Sequence, residues 1–136
     1  MVWVDGAAVG AASSAIRDGL AALSAIIVAE FETRGPMYDA LDELHAFIAA
    51  GAAAPAEGAT AAMGVLRDGF IVVAQLASAR LGILEALAAS LDELENLVPA
   101  PAVDGDQRRR SMGLALRRLR ADCRRVARTV RAGQAA

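Results

Sequence analysis

Residues 59–98 read as one uninterrupted helix of about 40 residues, on the order of 60 Å long at 1.5 Å per residue. Its apolar positions fall at Met63, Leu66, Phe70, Val73 and Ala77, then at Leu84, Leu87, Leu91, Leu94 and Val98. Steps of three and four alternate along it, the pattern of a coiled-coil seam, and only Arg80 interrupts the row. A second row, Val65, Val72, Leu76, Ala79 and Ile83, accompanies the first half alone. The first half therefore has to be covered on more than one side, while the second half needs one partner face. The rest of the chain reads as cover for this rod.

A first helix is expected over 7–33, with its stripe at Val9, Ala12, Ile16, Leu20, Leu23, Ile27 and Phe31. Gly10 and Gly19 weaken it by up to about 1 kcal/mol each unless they allow close packing. Gly35 and Pro36 mark its end, since glycine suits a C-terminal cap and proline the first turn of the next helix. That next helix is short, 36–50, with Met37, Leu41, Leu44 and Ile48 on one face and its acids near the N-terminus. Residues 51–58 form a Gly/Pro loop, and Pro99 and Pro101 stop the long helix. Asp104 or Asp106 is the expected N-cap of a fourth helix, 106–132, with a second seam at Met112, Leu116, Leu119, Cys123, Val126 and Val130. The expected fold is all-α: one domain over 1–136, an antiparallel bundle of four helices, one of them short, built on the central helix.

Hydrophobic residues make up 56% of the chain but aromatics only 4%, so its core must be aliphatic and alanine-rich. No window of 18 or more residues is both free of charge and strongly apolar, so no transmembrane segment is expected. The first residues lack the basic start of a signal peptide. A cytoplasmic or virion location follows as the expectation. One cysteine, Cys123, allows no intrachain disulfide.

The net charge of −2 conceals a segregation. From Arg108 onward ten arginines stand against one acid, Asp122, a balance of +9; before it four arginines stand against fifteen acids, a balance of −11. The basic face consists of Arg108, Arg109, Arg110, Arg117, Arg118, Arg120, Arg124, Arg125, Arg128 and Arg131. Such a surface neutralises a nucleic-acid backbone. No stacking aromatic lies among these arginines, however, and no recognised reading motif accompanies them. The competing assignment is internal pairing. Glu85, Asp92, Glu93 and Glu95 lie on the helix that the arginines would follow back, and Asp39, Asp42 and Glu43 lie on the short one.

Chemistry-bearing constellations are missing. His45 is the lone histidine, with no second histidine or cysteine nearby to complete a zinc site. Cys123 sits on a seam and reads as a small core residue. Asp92, Glu93 and Glu95 lack the Glu-x-x-His partner of a diiron helix, and phosphate loops and nucleophile elbows are absent. No catalytic residue, metal site or cofactor is expected. Arg80 either fixes register within the seam or lays its stem on it with the head in water.

Ala29-Glu30-Phe31-Glu32-Thr33-Arg34, then Asp42-Glu43-Leu44 and Leu66-Arg67-Asp68, give a likeness over roughly residues 15–80. This succession resembles the helical C-terminal part of the DNA circularisation proteins of Mu-like phage tails. The likeness covers neither the larger N-terminal region of that family nor its aromatic, proline-containing ending, and it leaves the arginine-rich helix unaccounted for. It implies a tail or virion component that packs against copies of itself or its neighbours.

The expected function is therefore that of a non-enzymatic assembly protein, a homo-oligomer or a subunit packed on protein partners. Its interface is expected at Arg80, Leu84, Leu87, Leu91, Leu94 and Val98, where local cover is thinnest. The alternative is a nucleic-acid-binding protein using the arginine-rich helix.

Overall fold

The structure, a computed structural model, describes residues 4–51, 56–98 and 105–135. The fold is all-α, with no strand among the described residues. Its elements are α1 (Gly6–Ala50), α2 (Ala56–Leu97) and α3 (Gly105–Ala135). Among the described residues three helices thus replace the expected four.

The difference lies at Gly35 and Pro36, where α1 runs on without a break. An interior proline removes one backbone hydrogen bond and crowds the preceding turn, at about 3 kcal/mol. Against that cost stands a core-facing row that continues in step: Glu30, Thr33, Met37, Ala40, Leu44 and Phe47, each buried or half-buried. Burying several such side chains, at about 0.8 kcal/mol per methylene, outweighs the one lost bond. The Thr33 hydroxyl also donates to the Ala29 carbonyl at 2.8 Å, holding the turn before the proline. Packing overrides the local stop signal.

The helix ends are set by ordinary capping chemistry. Asp5 caps α1, its Oδ1 accepting from the N–H groups of Ala7 and Ala8 at 3.1 and 3.2 Å. Gly51, with φ of 64°, supplies the left-handed residue that closes it. α2 begins at Ala56, earlier than expected, with Glu57 in its first turn. Asp106 lies within the first turn of α3, whereas Asp104, Pro99 and Pro101 lie outside the described residues.

Contacts divide the chain into two compact units. One combines Met1–Ile26 with Ser78–Asp122; the other combines Ile27–Ala77 with Cys123–Ala136. In the first, Leu87 of α2 covers the bare backbone of Gly19 on α1. Glu85 of α2 accepts from Arg120 of α3 at 2.8 Å, and Asp92 lies 3.7 Å from Arg109. The two pairs run in opposite order, so α3 is antiparallel to α2 there. In the second unit, Met37 of α1 lies over Gly69 of α2, and the Cys123 thiol of α3 donates to the Ala77 carbonyl at 3.4 Å. Within each unit α2 is thus the shared partner of α1 and α3.

Among the described residues the buried ones are few and, Ile26 apart, small: Ala12, Ile26, Ala40, Ala62 and Gly69. Alanine and glycine at the contacts let backbones approach, but they bury little apolar area.

Candidate functional site

The exposed apolar surface concentrates on α1. Its core-facing row begins at Val9, Ala12, Ile16, Gly19, Leu23 and Ile26, in steps of three and four. One residue further round runs a second row in the same steps: Ile27, Phe31, Arg34, Tyr38, Leu41, His45 and Ile48. Every member of this second row is exposed, with Phe31 at 78%, Ile48 at 74% and Tyr38 at 64%. Exposed apolar groups are ordinarily scattered singly; here five fall in one row, interrupted by Arg34 and His45. Arg34 within it is held by Glu30 at 2.5 Å, one turn back on the same helix.

Sequence periodicity blended these two rows. Of the expected first stripe, Val9, Ala12, Ile16 and Leu23 are buried or half-buried, while Leu20, Ile27 and Phe31 are exposed. Of the short helix's face, Met37 and Leu44 are half-buried, and Leu41 and Ile48 are exposed. The signal was present as two parallel heptad rows, and it was hidden because the outward row holds the larger side chains.

Alongside the apolar row, a third row on the same helix is small and acidic: Val28, Glu32, Gly35, Asp39 and Asp42, all exposed. None of its carboxylates holds an ion pair among the described residues.

The expected interface on α2 has a different character. Leu84, Leu87, Leu91 and Leu94 are half-buried; Val98 and Arg80 are exposed. Leu84, Leu87 and Leu91 form part of the lining of an open apolar cleft of about 320 Å³ in the first unit. Ile16 and Leu20 of α1 and Leu116 and Leu119 of α3 line it as well. This half of α2 is partly covered by its own chain. A smaller cleft of about 280 Å³ in the second unit lies between Met63 and Phe70 of α2 and Thr129 and Val130 of α3.

On α3 the core row is the expected one: Met112, Leu116, Leu119, Cys123, Val126 and Val130 are all half-buried. Arg109 and Arg120 turn to the acids of α2, and Arg125 has a partner of its own. Arg108, Arg110, Arg117, Arg118, Arg124, Arg128 and Arg131 are exposed and hold no ion pair among the described residues. Arg110, Arg117, Arg124, Arg128 and Arg131 fall on one ridge with Leu114 and Ala121, opposite the core row.

His45 is exposed on α1, and no group of three or more metal-ligating side chains gathers among the described residues. Glu93 and Glu95 are exposed.

Two helices are long and apolar enough to cross a membrane by length and composition. α1 and α2 each hold an 18-residue window, of mean hydropathy 1.4 and 1.7, with at most two charged residues and little or no burial. That sets the expectation of no membrane-crossing segment against an opposing observation. Comparison with protein-family models, curated proteins and solved structures finds no match.

Proposed function

We propose that this protein is a non-enzymatic helical assembly subunit, which works by packing exposed apolar helix faces against copies of itself or partner proteins. The observation that carries this reading is the outward row of α1, from Ile27 to Ile48, apolar at five of its seven positions and exposed at all seven. A role as a tail or virion component, of the kind its sequence resembles, fits such a subunit. The open cleft beside Leu84, Leu87 and Leu91 offers a second place for a helix to enter.

Membrane insertion is the less favourable use of the same surface. The longest uncharged runs inside α1 and α2, 6–16, 19–29 and 69–79, are eleven residues each. Eleven residues of helix cover roughly 16 Å, about half of a bilayer's hydrocarbon core. A span through α1 or α2 would carry Arg17, Asp18, Glu30 or Arg80 into lipid.

Mass in solution, measured by light scattering across concentration and salt, tests the proposal. A mass above that of one chain, rising with concentration, is expected. A monomer at every concentration overturns it.

The second reading is nucleic-acid binding, favoured by the ridge of arginines on α3. It predicts DNA or RNA binding that weakens steeply as salt rises. Absence of binding at low ionic strength removes it.

A further inference from the structure

We propose that the exposed face of α1 receives the arginine ridge of α3 from a second copy of this chain. The inference rests on the assembly reading and names its surfaces. Both lie within the second unit: Phe31, Tyr38 and Ile48 with Asp39 and Asp42 on α1, and Arg124, Arg128 and Arg131 on α3.

Three observations point to this occupant. The first is charge. Glu32, Asp39, Asp42 and Glu43 are exposed on α1 without an ion pair among the described residues. Arg124, Arg128 and Arg131 of the same unit are equally exposed and without one. Within this unit Glu32, Asp39, Asp42 and Glu43 thus stand unmatched on α1 and Arg124, Arg128 and Arg131 on α3, and a second copy supplies what the first lacks. An α1–α1 contact would instead set one acidic helix against another.

The second observation is the side-chain chemistry. Phe31 and Tyr38 present aromatic surface one row away from carboxylates. Guanidinium groups are suited to both, stacking on aromatic faces while donating to carboxylates, and their long stems bury well against apolar neighbours. A plain apolar helix would leave the acids of α1 without partners. The third is area. Ile27, Val28, Phe31, Tyr38, Leu41 and Ile48 together expose about 700 Å², close to the roughly 800 Å² each partner gives to a standard stable interface.

Sedimentation equilibrium of the full chain and four variants tests this, with helicity by circular dichroism as the folding control. Phe31→Glu with Ile48→Glu is expected to weaken association about tenfold or more. Asp39→Arg with Asp42→Arg, and separately Arg124→Glu with Arg128→Glu, are each expected to weaken it by a similar factor. The combined reversal of all four charges is expected to restore it to within a few fold, which no unfolding effect would do. Association that persists through the Phe31 and Ile48 changes, or ignores the Arg124 and Arg128 reversal, overturns this pairing and leaves the assembly reading in place. A chain that is monomeric before any substitution removes both. A monomer that instead binds anionic vesicles or DNA reassigns the arginine ridge to that partner.

Discussion

A Cβ placed on Gly69 would lie 2.5 Å from the Met37 Sδ and 2.6 Å from its Cγ, whereas one on Gly82 would meet nothing within 4 Å. Both glycines lie in α2, so alanine gains the same helix propensity at either place, up to about 1 kcal/mol. Only the packing differs. Gly82→Ala is expected to raise stability by about 0.5–1 kcal/mol, and Gly69→Ala to lower it by about 1–2 kcal/mol as Met37 is displaced. Midpoints of urea unfolding decide it; two equal gains would mean α1 and α2 are not in this contact. The same contrast shows what single residues disclose. From sequence, Gly10 and Gly19 are equivalent weak points in one helix. The structure separates them, because Leu87 crowds Gly19 while nothing approaches Gly10. The deciding neighbour is remote in the chain, and no local pattern encodes it.

At the scale of elements, α2 and α3 were legible nearly to their ends, because long runs without internal proline leave periodicity unopposed. α1 was not. Gly35-Pro36 is a strong local stop signal, and its defeat depends on a core row packed in register on both sides of it. Substitution distinguishes the two arrangements. If a helix began at Pro36, proline would occupy its preferred first position and Pro36→Ala would be neutral or harmful. In an unbroken α1 the change restores a backbone hydrogen bond, so Pro36→Ala is expected to add about 1–3 kcal/mol with almost unchanged helicity. Circular dichroism with thermal melting measures both. The candidate surface escaped notice for a related reason. Heptad steps were visible in the sequence, but two adjacent rows share them, and size ranked Leu20, Ile27 and Phe31 as core. The inward row instead uses Gly19, Glu30 and Thr33, residues that hydrophobicity alone would not choose. Pairing between α2 and α3 was more accessible, since Glu85 and Asp92 meet Arg120 and Arg109 as opposite charges running back along one another.

For the molecule as a whole, exposed surface decides how far the chain can stand alone. Among the described residues four apolar side chains are buried, Ala12, Ile26, Ala40 and Ala62, while fourteen large apolar ones are exposed. Apolar burial is the main force offsetting chain entropy, and net stability is a small residue of large opposing quantities. So small a core leaves apolar burial wanting, most of all on the outward face of α1, where Phe31, Tyr38 and Ile48 stand in water. Association would supply it, and stability then becomes a function of concentration. Any partner bound only by the folded state adds stability that grows with the logarithm of its concentration, about 2.7 kcal/mol per hundredfold once binding is near saturation. For a chain of this length that corresponds to a rise in Tm of roughly 5–10 °C across a hundredfold increase in protein. Scanning calorimetry over that range should show the rise, and Phe31→Glu with Ile48→Glu should flatten it while lowering Tm at high concentration. Because those two side chains are already exposed in the single chain, their loss has no core to disturb, and the part of the drop that grows with concentration reports a contact made with another molecule. A wild-type Tm that does not move over a hundredfold change would show that the lone chain is stable with its greasy face in water, and the assembly reading would fall with it.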